Sequence, residues 1–117
     1  MKRKYILFIK DILTALKSIE EFTFGLTYKE FTQDKKTSDA VVRNIEIIGE
    51  AVKNIPLSVQ KDNPDIPWRE IARMRDKIVH HYFEIDLEKV WKVVKEDIPV
   101  IKPSFEQINN ETGGKKV

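Results

Sequence analysis

Four stretches of this chain repeat apolar residues at the three- and four-residue spacing of an α-helix. They cover residues 2–21, residues 38–55, a segment that starts at Ile66, and a long segment after Asp86. No stretch shows the alternation of a half-buried strand. We therefore predict an all-α fold, an antiparallel up-and-down helical bundle of four main helices.

Proline and aspartate mark the ends of these helices. Pro56 stops the second helix, and Pro67 suits the first position of the third, where its missing N–H costs nothing. Asp86 is a plausible N-cap for the fourth helix. Pro99 falls inside the apolar stripe of that helix, so we expect a kink near Lys95, or two helices that meet there.

Length and composition fit one small domain. The chain has 117 residues, and we assign residues 1–110 to the bundle and residues 111–117 to a flexible, glycine-containing C-terminal tail. The absence of cysteine rules out disulfides and thiolate metal sites and suits the cytoplasm. Apolar runs are only a few residues long, so no membrane span and no secretory signal are expected. A net charge of +2 does not by itself indicate a nucleic-acid binder.

Residues 75–82 concentrate the chemistry of the chain in the order Arg-Asp-Lys-Ile-Val-His-His-Tyr. Arg75 offers a planar, permanently charged fork that matches a phosphate. His80 or His81 can exchange a proton near neutral pH, and Tyr82 can hydrogen-bond a phosphate oxygen. Such a set can cleave a phosphodiester without a metal or other cofactor. A base removes the proton of a 2′-hydroxyl while the arginine stabilises the phosphorane, which implies RNA as substrate.

The spacing of Arg75 and His80 tests this hypothesis. On a continuous helix, residues five apart point about 140° away from each other. The two side chains can converge only if the helix ends near Val79. Two such helix ends across a two-fold dimer would form a phosphate groove, to which Arg69, Arg73 and Lys77 would add positive potential.

Simpler interpretations of the same residues stay open. Arg75 with Asp76 and Lys77 is also compatible with an ordinary solvated helix face. His80 and His81 are compatible with a cap at a helix C-terminus. A metal site is disfavoured, because adjacent histidines on a helix diverge by about 100° and no His-x-x-x-His spacing occurs.

Carboxylates and tryptophans elsewhere in the chain favour structural roles. Glu46 and Glu50 lie one turn apart, and we interpret them as a helix face or as partners of Arg75. We interpret Trp68 and Trp91 as core or interface aromatics and not as platforms for stacking nucleic-acid bases.

The motif and its flanking segments resemble one known family. Arg75, His80 and Tyr82 match the Arg-x4-His-x-Tyr motif of HepT-like proteins, within the larger group of HEPN domains, and Asp76 fills a position that is usually polar there. The likeness extends over nearly the whole chain. Its other segments are residues 40–51, the Ile-Pro-Trp at 66–68, the His-Tyr-Phe at 81–83, the Val-Trp at 90–91 and the Asp-Ile-Pro at 97–99.

This resemblance implies a homodimeric ribonuclease toxin that needs no metal, with Arg75 and His80 as its catalytic residues. It also implies a partner, a nucleotidyltransferase antitoxin of the MntA type, which would silence the toxin by AMPylation of Tyr82. The supporting or RNA-binding residues would be Asp76, His81, Arg73 and Lys77. The alternative is a non-catalytic helical module that binds nucleotide or the transferase with the same residues.

Overall fold

The computed structural model describes residues 4–80 and 84–113, and for His80, Thr112 and Gly113 it describes the backbone alone. Helices account for most of this part of the chain, so the predicted all-α class is confirmed. The helices are α1 (Tyr5–Thr23), α2 (Tyr28–Gln33), α3 (Lys35–Lys53), α4 (Leu57–Asp62), α5 (Trp68–Ala72), α6 (Met74–Ile78), α7 (Leu87–Lys92) and α8 (Ile98–Ile108). The predicted antiparallel order of four main helices stays a prediction.

A single hydrophobic core holds the helices together. The long helices α1 and α3 pack against each other along most of their length, and α8 packs against α1. Their fully buried residues repeat at helical spacing and include Ile9, Ile12, Leu16 and Ile19 on α1, Val41, Ile45, Ile48 and Val52 on α3, and Ile98, Phe105 and Ile108 on α8. At the surface, Lys102 Nζ lies 2.6 Å from Glu20 Oε1, and this hydrogen bond raises the pKa of Lys102.

Polar side chains cap the N-termini of α2, α3 and α7. Thr27 and Glu30 form a reciprocal capping box at the start of α2. Asp34 caps α3 by accepting hydrogen bonds from the Thr37 hydroxyl and backbone N–H. Asp86 caps α7 through the backbone N–H of Lys89, as we expected from the sequence.

The predicted fourth helix is interrupted where its proline indicated. A π-helical segment, Val93–Asp97, joins α7 to α8, and the Ile98 N–H donates to the carbonyl of Val93, five residues earlier. Pro99 lies in the first turn of α8, where its missing N–H is tolerated. The kink or junction of two helices that we expected near Lys95 corresponds to a π turn in a chain that stays helical. A second π turn, Asn109–Gly113, ends the described chain, and residues 114–117 of the predicted tail lie outside it.

Two features differ from the sequence-based prediction. The third helix is divided into α5 and α6 at Arg73, and a short antiparallel pair of strands follows it, β1 (Val79–His80) and β2 (Glu84–Ile85). The β-branched Val79 adopts extended φ and ψ angles of −99° and 119° and pairs with Ile85. A two-residue strand is too short for its alternation to be visible in a sequence.

Candidate functional site

Both helices of the α5–α6 segment place side chains in the hydrophobic core. The indole N–H of Trp68 donates to the carbonyl of Asn63 at 3.0 Å, and its ring meets Phe105 edge-on at 5.5 Å. Met74 and Ile78 of α6 are buried. Trp68 is thus a core residue, as the sequence suggested. With these anchors fixed, the polar side chains between them are directed to the surface.

Arg75 extends from α6 toward two carboxylates. Its Nε lies 3.4 Å from Glu46 Oε2 on α3, and its Nη1 lies 3.8 Å from Asp76 Oδ1. About half of the arginine side chain stays accessible to solvent, at 53%. The guanidinium is therefore oriented by carboxylates and still open to an anion. The contact between Glu46 and Arg75 confirms one of the two roles that we considered for Glu46 and Glu50, that of a partner of Arg75. Glu50 pairs instead with Lys53, at 3.2 Å.

These residues face an open cleft of about 500 Å³ between α1, α3 and the α5–α6 segment. Its lining mixes charges of both signs with a few apolar side chains. The residues that line it include Phe8, Asp11, Arg43, Glu46, Gly49, Glu50, Ala72, Arg75 and Asp76. Arg43 gives this cleft a second guanidinium. Our interpretation of the sequence did not assign Arg43 to the site, and the only available signal was its place in the segment that resembles the family's second helix.

Gly49 sets how closely α3 approaches the α5–α6 junction. A Cβ built on Gly49 would lie 3.3 Å from the carbonyl oxygen of Ala72, tighter than ordinary van der Waals contact. The glycine thus allows the backbone that precedes Arg75 to rest directly on α3. This contact fixes the distance from which the Arg75 side chain reaches Glu46.

The helix that carries Arg75 ends just before the histidines. The last residue of α6 is Ile78, and β1 continues the chain in an extended conformation through Val79 and the backbone of His80. The Asp86 N–H donates to the Ile78 carbonyl at 2.6 Å and so closes the base of the hairpin. The expected helix end near Val79 is confirmed. The angle of about 140° that a continuous helix would set between Arg75 and His80 therefore does not apply.

The structure divides the remaining candidate residues between different surfaces. Asp76 lines the same cleft as Arg75. Lys77 lies on a second cavity, and the exposed Arg73 lies at the α5–α6 junction without lining either cavity. The side chain of His80 and the whole of His81 and Tyr82 lie outside the described residues. Their expected roles therefore stay predictions.

Two further properties concern the described part of the chain. Within residues 4–80 and 84–113, no three histidine or acidic side chains lie close enough together to hold a metal ion. None of the helices there combines the length and apolar character needed to cross a membrane.

Similarity to known proteins points to one family. A family model described as "Ribonuclease HepT-like" matches residues 12–108. The chain is 52% identical over 108 residues to "Probable ribonuclease HepT" of Thermococcus cleftensis, and the match covers 92% of this chain and 98% of that protein.

Two relatives come from Methanocaldococcus jannaschii. "Putative RNase MJ0127" is 44% identical over 92% of this chain and 88% of its own length. "Putative RNase MJ1216" is 45% identical over 97% of this chain and 94% of its own length. No solved structure gives a significant match.

Proposed function

This chain belongs to the HepT-like ribonuclease family, and from that premise we propose that it is a toxin that cleaves RNA without a metal ion, through Arg75 and His80. The observation that carries the proposal is the position of Arg75. Its guanidinium is half-exposed in a cleft, is oriented by Glu46, and lies on a helix that ends just before the strand leading to His80.

The proposed reaction assigns one task to each residue. The imidazole of His80 takes the proton of the RNA 2′-hydroxyl, and the 2′-oxygen attacks the adjacent phosphorus. The bond from phosphorus to the 5′-oxygen breaks, and the leaving 5′-oxygen takes a proton from water. Arg75 stabilises the negative charge that develops on the non-bridging phosphate oxygens. Asp76 and His81 support this site.

Purified full-length protein, incubated with labelled RNA in EDTA, tests the assignment. We expect cleavage that falls about 10²–10⁴-fold in Arg75→Ala and in His80→Ala. Lys36→Ala is the charge-matched control, because it removes an exposed cation of α3 that does not line the cleft. RNA with a 2′-deoxy sugar at the cleavage position should not be cleaved by the wild-type protein or by any of the variants.

The outcome of this assay also decides between the histidines. His81→Ala should reduce the rate less than His80→Ala. Loss of cleavage in His81→Ala alone would transfer the role of the base to His81. Full activity in both Arg75→Ala and His80→Ala would refute the proposed mechanism.

We further propose that the active form is a two-fold homodimer. One chain supplies a single Arg75–His80 set, and an isologous contact would place two sets beside each other in one groove. Sedimentation at micromolar concentration should give a dimer. A monomer that cleaves RNA at full rate would contradict this part of the proposal.

The proposed regulator is a nucleotidyltransferase antitoxin of the MntA type that modifies Tyr82. The phenolic oxygen of Tyr82 attacks the α-phosphorus of ATP, pyrophosphate leaves, and the phenolic proton passes to solvent. The attached AMP carries a negative phosphate that would compete with RNA for Arg75. The family resemblance at residues 75–82 supports this proposal.

Coexpression with the transferase, followed by mass spectrometry, tests the regulator. Added mass in multiples of AMP should map to Tyr82 and be absent in Tyr82→Phe. Modification of Tyr5 or Tyr28 instead, or full cleavage by the modified protein, would refute this mechanism.

A further inference from the structure

A second cavity, of about 400 Å³, lies beside α6, and Arg75 does not line it. It is lined by Lys77 of α6, by Lys89 and Lys92 of α7, and by Val93 and Asp97 of the π segment. We name it the lysine pocket. Three lysines and one aspartate line it, so the lining carries an excess of positive charge.

The lysines of this pocket are available to a ligand. All three are exposed. Within residues 4–80 and 84–113, none of their ammonium groups forms an ion pair with a carboxylate, whereas Lys35, Lys53 and Lys102 each have one. Clustered cations without carboxylate partners repel one another, and a bound phosphate would relieve that repulsion.

The position of the pocket connects it to the proposed active site. Lys77 follows Arg75 by two residues, so the two side chains leave α6 in nearly opposite directions. The helix ends at Ile78, one residue after Lys77. Lys89 lies in the first turn of α7, beyond β2, and the Asp86 N–H to Ile78 carbonyl bond joins the two elements. Lys77 and Lys89 therefore flank the base of the hairpin that contains His80.

We infer that the lysine pocket is a phosphate subsite that holds the RNA backbone beside the phosphate that is cleaved. The inference rests on the proposed ribonuclease function and adds a place where the substrate binds. A strand whose scissile phosphate lies at Arg75 would pass over the end of α6 and set a flanking phosphate among the three lysines. Contacts to backbone phosphates fix the register of a nucleic acid without reading its sequence.

Binding of a non-cleavable, fully 2′-O-methylated RNA tests the subsite independently of catalysis. We compare the wild-type protein with the triple variant Lys77→Gln, Lys89→Gln, Lys92→Gln. Each phosphate contact contributes about 0.7 to the slope of log affinity against log salt for a single strand. The pocket holds one phosphate, so the triple variant should lower that slope by about 0.7 and weaken binding roughly fivefold in ~0.1 M salt.

Two control variants make the result specific. The triple variant Lys10→Gln, Lys17→Gln, Lys61→Gln removes the same net charge from exposed positions outside the pocket. It should change the slope by much less. Asp97→Asn removes the carboxylate of the pocket and should tighten RNA binding. This effect is opposite in direction to that of the lysine variants, and loss of folding cannot produce it.

Cleavage of substrates of two lengths completes the experiment. A dinucleotide has one phosphate and cannot fill both sites, so the pocket variant should raise KM for long RNA far more than KM for the dinucleotide. Equal slopes in the two triple variants, or an unchanged Asp97→Asn affinity, would overturn the subsite and leave the ribonuclease proposal intact. A wild-type protein that binds through these lysines but cleaves neither substrate would refute the function and support the subsite.

Discussion

Arg75 Nε and Glu46 Oε2 lie 3.4 Å apart, although 29 residues separate them in the chain. The contact joins α6 to α3, and both residues line the cleft. The side chains are 53% and 35% exposed, so water weakens the attraction and the pair contributes little to stability. We assign Glu46 a positioning role, in which it restricts the directions that the Arg75 fork can take.

Substitution of Glu46 should therefore affect catalysis more than folding. We expect Glu46→Ala to lower kcat for RNA by about tenfold, less than Arg75→Ala does, since the cation stays but loses its orientation. Glu46→Gln should recover part of the rate because its amide oxygen still accepts from Arg75. Steady-state kinetics and thermal unfolding measure the two effects.

A second acid-to-alanine variant separates the lost orientation of Arg75 from the general loss of a negative charge. Glu21 is exposed on α1 and does not line the cleft, so Glu21→Ala should leave kcat near the wild-type value. If Glu46→Ala lowers both the unfolding temperature and kcat by large amounts, the role of Glu46 is structural.

Lysine should replace Arg75 poorly. Lys retains the positive charge but lacks the planar fork that can donate to two phosphate oxygens at once. We expect Arg75→Lys to lose on the order of 10²-fold in kcat/KM, with the RNA salt dependence nearly unchanged. Wild-type kcat/KM in Arg75→Lys would mean that charge alone is needed at this position.

Phe31 and Phe24 offer a matched pair for testing the core. Phe31 is fully buried, with its ring centroid 5.0 Å from that of Trp91, whereas Phe24 is 88% exposed in the turn after α1. Phe31→Ala should lower the free energy of unfolding by about 3–5 kcal/mol, and Phe24→Ala by no more than about 0.5 kcal/mol. Urea denaturation of both variants checks this, and equal losses would contradict the observed packing.

The sequence predicts the long helices of this fold well, and it predicts the division of the third helix and the two short strands poorly. Helices α1 and α3 and the junction near Lys95 follow from apolar spacing and from Pro99, because those signals extend over several turns. The division at Arg73 and the two-residue strands arise from tertiary packing, which fixes Trp68 against Phe105 and pairs Val79 with Ile85. Local sequence carries no mark of such contacts.

The candidate site shows the same division. Arg75 was identifiable because its motif is continuous in the chain, and Glu46 because its spacing on α3 suggested a partner. Arg43 and the lysine pocket were not identifiable, since they depend on which faces of α3, α6 and α7 meet in three dimensions. Lys77 was grouped with Arg75 by proximity in sequence, and the structure places it on a different surface.

Asp34 makes part of the stability depend on pH. The Thr37 hydroxyl and then the Thr37 backbone N–H donate to its carboxylate and lower its pKa below the ordinary value of 3.8. A lowered pKa stabilises the fold above 3.8, and this contribution is lost as the pH falls through the folded-state pKa. Asp34→Asn keeps a capping oxygen but does not titrate.

The advantage of the wild-type protein over Asp34→Asn should therefore be constant above about pH 5 and shrink toward pH 3. Urea denaturation across this range measures it. A difference that grows on acidification would show that the Asp34 pKa is raised in the folded state.

A side chain at Gly49 should disturb the approach of α3 to the α5–α6 junction. Gly49→Val would place methyl groups against the Ala72 carbonyl, and we expect a loss of about 1–3 kcal/mol in unfolding free energy. Valine has a better helix propensity than glycine, so Gly49→Val would be slightly stabilising in the absence of this contact. An unchanged or raised free energy of unfolding would show that the junction yields without strain.

The π segment Val93–Asp97 determines where the chain tolerates a change in length. A π turn holds about one more residue than an α turn, so deletion of one residue there can restore an ordinary helix without rotating α8 away from α1. The same deletion within α3 would turn the following residues by about 100° and expose part of the buried face. A one-residue length difference among homologues would therefore be absorbed at this segment, and because Val93 and Asp97 line the lysine pocket, it would alter the shape of that pocket while the core stayed in register.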